Sequence, residues 1–212
     1  MTALIETMRV RGGVAPLRLD HLARLALSCT ALDLPLPAPA DGDTIDAAAR
    51  RLKNGVLRVR WDGAAVTTSG RAEDVAPVRL RTVRVVHRPY PHKTEDRAVF
   101  EAAAHEAAPA EPLLLTAAQA VAETARFAVL WIDEGRLCAV DRAVGVLPSI
   151  GVDRVHELDV MSFRRLNRFA LAGLPLAVVN AVRGVVPVET LDGERVPGDS
   201  RWQALQAEFW SA

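Results

Sequence analysis

The longest stretch without a charged side chain runs from Phe169 to Val182, fourteen residues broken by Gly173 and Pro175. A helix crossing a bilayer needs about 20 mostly apolar residues, so no membrane span is expected. The core must instead be assembled from short elements. Half of the 212 residues are apolar, enough to bury a sizeable interior in one large domain or two small lobes. Twenty-six basic residues balance twenty-six acidic ones, so bulk charge gives no reason to expect nucleic acid as a partner. The balance hides an asymmetry. Residues 1–100 hold sixteen Lys or Arg and eleven Asp or Glu, whereas 101–212 hold ten and fifteen. Glu6 stands where a secretory signal would need an apolar run, and Cys29 and Cys138 are the only thiols. A cytoplasmic protein with reduced cysteines is therefore expected.

Short elements can be read along the chain. Ile5 to Val10 alternates as a strand ending at Gly12-Gly13. Leu22, Leu25, Cys29 and Leu32 recur at helical spacing, which predicts a helix over about 19–32, closed by Pro35 and Pro37. After a polar connector, 38–43, a second helix is predicted through 47–53. Strands follow at 56–61, 64–67 and 78–86, with Asp62-Gly63 as a hairpin turn. A helix over 96–105 is predicted with Thr94 as its N-cap, ended by Pro109 and Pro112. Short apolar runs at 113–115, 121–123, 127–132, 137–140, 144–147, 176–179 and 185–188 read as strands, and Asp199 to Trp210 as an amphipathic helix. The expected division is a small α/β lobe over 1–90 and a larger β-rich lobe over 91–212.

Of the twenty-six basic residues only Lys53 and Lys93 are lysines. Arginine stays protonated, whereas a lysine amine can shed its proton when desolvated and attack a carbonyl. Lys53 follows Arg50-Arg51 and precedes Gly55, which is how a helix C-terminus reads. Lys93 follows Pro89-Tyr90-Pro91, between a strand and a helix, where regular structure is interrupted. It is the better candidate for chemistry. Arg79, Arg81, Arg84 and Arg88 precede it, with His87 and His92 nearby. Strict alternation would put Arg79 and Arg81 on one face and Arg84 and Arg88 on the other. One face is then available for a substrate carboxylate, unless the arginines merely guard a sheet edge against aggregation.

Six segments occur in one order: Ile5–Val10, His21–Leu25, His92–Arg97, Val121–Thr124, Gly145–Ile150 and Val179–Val188. Together they resemble the class IV aminotransferases, the fold-type IV pyridoxal-phosphate enzymes. The resemblance implies an α/β (α+β) protein with the two-lobed architecture of the D-amino-acid aminotransferase type. Such proteins bind pyridoxal 5′-phosphate and act on a small amino substrate carrying carboxylates, usually as homodimers. No metal is implied. Lys93 resembles the lysine that bonds to the cofactor aldehyde and shuttles the proton at Cα. Glu123 resembles the acid that pairs with the pyridine nitrogen and keeps it protonated. Arg24, three residues after His21, resembles the arginine that grips the cofactor phosphate. Ile150 and Gly151, after Ser149, resemble a turn whose amides meet that phosphate at a helix N-terminus. Asn180 and Ala181 resemble a second phosphate-side loop.

The chain departs from the family pattern in places. Ala128 stands where an asparagine is common, Val152 where an arginine is common, Ala181 where a hydroxyl is common, and the stretch 151–159 is short. Tyr90 is the only tyrosine, so it alone could partner the cofactor's ring oxygen. Asn180 to Val188 resembles the aminodeoxychorismate lyase branch more than the branched-chain or D-amino-acid transaminase branches. A transaminase and a non-catalytic member of the fold are the alternatives.

Overall fold

The structure, a computed structural model, describes residues 2–211. It divides into two compact units, each assembled from separate parts of the chain. One takes the described residues up to Val75, together with His92–Asp96 and Ala181–Arg183. The other takes Ala76–Pro91, Arg97–Asn180 and the described residues from Gly184 onward.

The first unit contains β1 (Leu4–Val10), α1 (Arg18–Ala31), α2 (Pro39–Leu52), β2 (Gly55–Trp61) and β3 (Val66–Arg71). The strands form an antiparallel sheet in the order β1-β2-β3. Met8 and Val10 from β1 and Leu57 and Val59 from β2 pack with Ile45, Ala48 and Ala49 of α2. Leu25 and Cys29 of α1 meet Leu4 and Trp61. The apolar stripe predicted for α1 is the buried one, although Leu32 falls just past the helix and is 41% exposed. The segment read as a polar connector, 38–43, instead starts α2. Pro39 occupies its first turn and the Asp41 carboxylate accepts the Ala38 N–H at 2.7 Å. Its polarity is that of a capped helix start. The Asp62-Gly63 turn is present, with Asp62 Oδ1 accepting the Ala64 and Ala65 amides at 3.0 and 3.1 Å.

The second unit contains β4 (Val78–Val86), α3 (Ala98–Ala107), β5 (Glu111–Leu115), β6 (Val121–Thr124), β7 (Ala128–Asp133) and β8 (Arg136–Val140). It continues with α4 (Ile150–Leu158), β9 (Met161–Arg164), β10 (Leu176–Asn180), β11 (Gly184–Leu191), β12 (Glu194–Arg195) and α5 (Ser200–Glu208). Eight strands run in the order β6-β5-β4-β11-β10-β7-β8-β9, and β12 adds to β11. The core is lined by Leu80, Leu113, Val129, Trp131, Cys138, Val178 and Val188, residues from six of these strands. β4 lies inside this sheet, parallel to both β5 and β11. The strand thus groups with the second unit, not with the 1–90 lobe expected from the sequence.

Four further expectations change. Thr94 does not cap α3. Its backbone bridges Leu4, its hydroxyl donates to the Asp96 carbonyl at 3.3 Å, and the helix starts only at Ala98. Pro112 does not end a helix but lies second in β5, where a missing N–H is tolerated near a strand start. The run 144–147 is not a strand: a 3-10 turn over Arg142–Val144, begun by Asp141, leads to Gly145 at φ +90°. Its valines pack on the core from a loop. Finally, β4 is interior rather than an edge, and a register shift between Thr82 and Val86 interrupts its alternation. Arg79, Arg81 and Arg84 are all exposed as a result, and Arg79 and Arg84 pair with Glu189 and Glu106.

Candidate active site

The first unit carries Lys93 on a segment held by main-chain bonds. The Ile5 N–H donates to the Lys93 carbonyl at 2.8 Å, and the Glu95 N–H donates to the Ala3 carbonyl at 2.7 Å. The segment thereby lies alongside the start of β1, and Lys93 is half-buried. Lys53 is exposed just past the end of α2, the helix-end position its sequence context predicts.

Below that segment, Glu6 of β1 is 2% exposed and fully engaged. Arg24 donates from Nε to Oε1 at 2.9 Å and from Nη2 to Oε2 at 2.5 Å, and His21 Nδ1 lies 2.6 Å from Oε2. The i, i+3 spacing on α1 brings the histidine and the arginine to one carboxylate. Burial pushes the Glu6 carboxyl upward, but the Arg24 guanidinium and the His21 contact outweigh it and hold the pKa at about 2. Two of the five N–H donors of Arg24, the residue read as a phosphate ligand, therefore serve Glu6. Ser28, one α-helical turn beyond Arg24, has its hydroxyl 3.2 Å from His92 Nδ1.

The second unit carries Glu123 on β6. Its carboxylate is largely buried, and Oε1 faces His87 Nε2 at 2.9 Å and accepts the Leu147 N–H at 3.3 Å. Among the described residues neither Arg nor Lys forms an ion pair with it, and Oε2 accepts from no protein group. The surrounding loops are fixed by a close approach. Gly145 packs against Pro89, where a Cβ would come within 3.2 Å of backbone, and its carbonyl accepts the Tyr90 N–H at 2.8 Å. Tyr90 turns its ring edge-on to Phe100, centroids 4.9 Å apart.

The segment 151–159 forms α4, with Ser149 as its N-cap, accepting the Val152 N–H at 3.3 Å. Helix geometry leaves the Ile150 and Gly151 amides without an intrahelical acceptor. Gly151 is pressed on the end of β10 so closely that a Cβ would lie 2.9 Å from Asn180 Cα. Asn180 itself donates from Nδ2 to the Arg126 carbonyl at 3.1 Å, and Ala181 follows as a buried turn residue. Val152 is buried inside the helix and Ala128 is half-buried in β7, so neither offers the polar group common in the family.

Taken unit by unit, the chemistry of these groups fits parts of pyridoxal phosphate. In the second unit the Glu123 carboxylate has the chemistry to pair with a ring N–H and the helix amides backed by Gly151 that to meet a phosphate, and in the first unit the half-buried Lys93 has the chemistry to bond an aldehyde. In the sequence His87 reads only as possible added charge on a basic strand. Its burial gave no signal there, because only the fold brings it to Glu123, thirty-six positions away.

Residues 3–191 match the family model described as amino-transferase class IV. The chain is similar to the 4-amino-4-deoxychorismate lyase of Pseudomonas aeruginosa, with 25% identity and a TM-score of 0.84 over 97% of this chain and 89% of that one. Its fold is also that of a fold IV-transaminase from Curtobacterium pusillum, with 21% identity and a TM-score of 0.81 over 99% and 84% of the two chains. A third likeness is to the T.th. branched-chain amino acid aminotransferase with pyridoxamine 5′-phosphate, with 19% identity and a TM-score of 0.83 over 98% and 84%. No curated protein matches the chain. A family match over most of the sequence and a fold shared with lyases and transaminases of that family lead to one assignment. The chain belongs to the class IV aminotransferase family and is a pyridoxal-phosphate-dependent enzyme.

Proposed function

We propose that the chain is a pyridoxal-phosphate-dependent lyase that converts 4-amino-4-deoxychorismate to 4-aminobenzoate and pyruvate, a step of folate synthesis, in the cytoplasm and as a homodimer. The observation that carries the chemistry is Glu123, buried, with both of its hydrogen bonds among the described residues on Oε1. The choice of reaction rests on the likeness to the Pseudomonas lyase and on the Arg183-Gly184-Val185-Val186-Pro187-Val188 segment, which resembles the lyase branch.

When bound, pyridoxal 5′-phosphate supplies an aldehyde for the substrate amine and a ring that accepts electrons. Lys93 would hold the aldehyde, and its amine, once free, would remove the proton from the carbon bearing the substrate nitrogen. Glu123 would pair with the ring nitrogen. The Ile150 and Gly151 amides and Arg24 would hold the phosphate. Loss of the enolpyruvyl group from the neighbouring carbon leaves an aromatic ring, and aromatisation drives the step.

A transaminase acting on branched-chain or D-amino acids is the second reading, favoured by TM-scores to transaminases nearly equal to that for the lyase. The two separate in one assay. Purified protein with aminodeoxychorismate and no keto acid should release 4-aminobenzoate, and the variant Lys93→Ala should lose at least about 10³-fold in rate. Product that forms only with a keto acid acceptor would favour the transaminase. No product under either condition, with cofactor bound, would leave a non-catalytic member of the fold. Borohydride should fix the cofactor to Lys93.

A further inference from the structure

We infer that His87 is a positioning residue for the cofactor ring: by donating from Nε2 to Glu123 Oε1, it aims Oε2 at the ring nitrogen. The inference rests on the reading that Lys93 and Glu123 hold pyridoxal phosphate, and it adds a residue that the family resemblance did not supply.

The His87 side chain is 1% exposed. Burying an imidazole is costly unless its nitrogens are engaged, and here Nε2 lies 2.9 Å from Glu123 Oε1. An ionised carboxylate only accepts, so the nitrogen facing it carries the proton. The ring is held by the sheet rather than by a loop. His87 directly follows β4, and its own N–H donates to the Leu115 carbonyl of β5 at 2.8 Å. The Leu147 N–H reaches the same carboxylate oxygen at 3.3 Å. With both donors on Oε1, rotation of the carboxylate breaks both bonds, so Oε2 is confined to one direction. The carboxylate is therefore aimed, which is what pairing with a ring N–H requires.

Two variants separate aiming from packing. A glutamine amide reaches about as far as histidine Nε2, whereas an asparagine amide stops near Nδ1. Wild type, His87→Gln and His87→Asn are each checked for folding by thermal melting without cofactor. Each is then titrated with pyridoxal phosphate by visible absorbance, and the downfield proton NMR signal of the ring N–H is recorded. His87→Asn should bind about tenfold more weakly, the loss of one hydrogen bond to a charged group, with a displaced ring N–H signal. His87→Gln should stay within about twofold of wild type. If both variants match wild type, or both weaken equally with the ring signal unmoved, His87 only fills space and the inference fails while the proposed function stands. If wild type itself takes up no pyridoxal phosphate, both fall.

Discussion

Two glutamates, one in each unit, are buried beside a histidine, and they differ in what else reaches them. Glu6 receives His21 and two donors of Arg24, so its charge is neutralised inside the protein. Glu123 receives His87 and a main-chain N–H on a single oxygen and has no arginine or lysine partner among the described residues. The first arrangement is balanced within its own unit. The second leaves a buried acid without a cationic partner among the described residues, as the proposed pairing with a ring N–H needs. Burial of a carboxylate is thus not by itself a sign of chemistry, and the nature of its donors separates the two roles.

Neutralising each acid in turn should expose the difference. Glu123→Gln should lower turnover by about 10²-fold or more while leaving the melting temperature nearly unchanged, since its donors can still bond an amide. Turnover retained within a few-fold would erase the distinction. Glu6→Gln should do the reverse, costing about 3 kcal/mol in chemical denaturation because it strands the buried Arg24 guanidinium. The same pair predicts a pH dependence. The Glu6 carboxyl falls from 4.5 to about 2 on folding, so its contribution is fully present above pH 4.5. It is lost as pH falls through the folded value, an effect of about 3 kcal/mol. Wild type should therefore lose stability across that window, and Glu6→Gln should lose markedly less. Gly151→Ala should cost about 1–2 kcal/mol and weaken cofactor binding, because the added methyl must push α4 off Asn180. At the small end, Lys53→Arg should leave cofactor uptake unchanged in the same absorbance titration, in contrast to Lys93→Ala.

Much of this molecule is legible in its sequence. β4 has the bounds read from its β-branched run, and the hairpin after β2 follows from Asp62-Gly63. The rarity of lysine singled out Lys93. The misreadings share a cause. Val144 and Val146 are apolar because they cover the core from a loop, so composition suggested a strand where Asp141, Gly145 and Pro148 dictate a turn. The start of α2 was hidden because a capped first turn is as polar as a connector. The arginines of β4 defied alternation because a register shift is invisible to a period of two. The link between His87 and Glu123 lies beyond any local pattern, since it depends on β4 and β6 flanking β5 in one sheet.

The lysine-bearing stretch His92–Asp96 and the turn Ala181–Arg183 both complete a unit whose bulk ends at Val75. During synthesis on the ribosome, that amino-terminal body must wait for residues more than a hundred positions downstream before its contacts are whole. A fragment cut after Val75 would therefore be an unfinished fold rather than a smaller one, and fusions or truncations at that point should yield insoluble material.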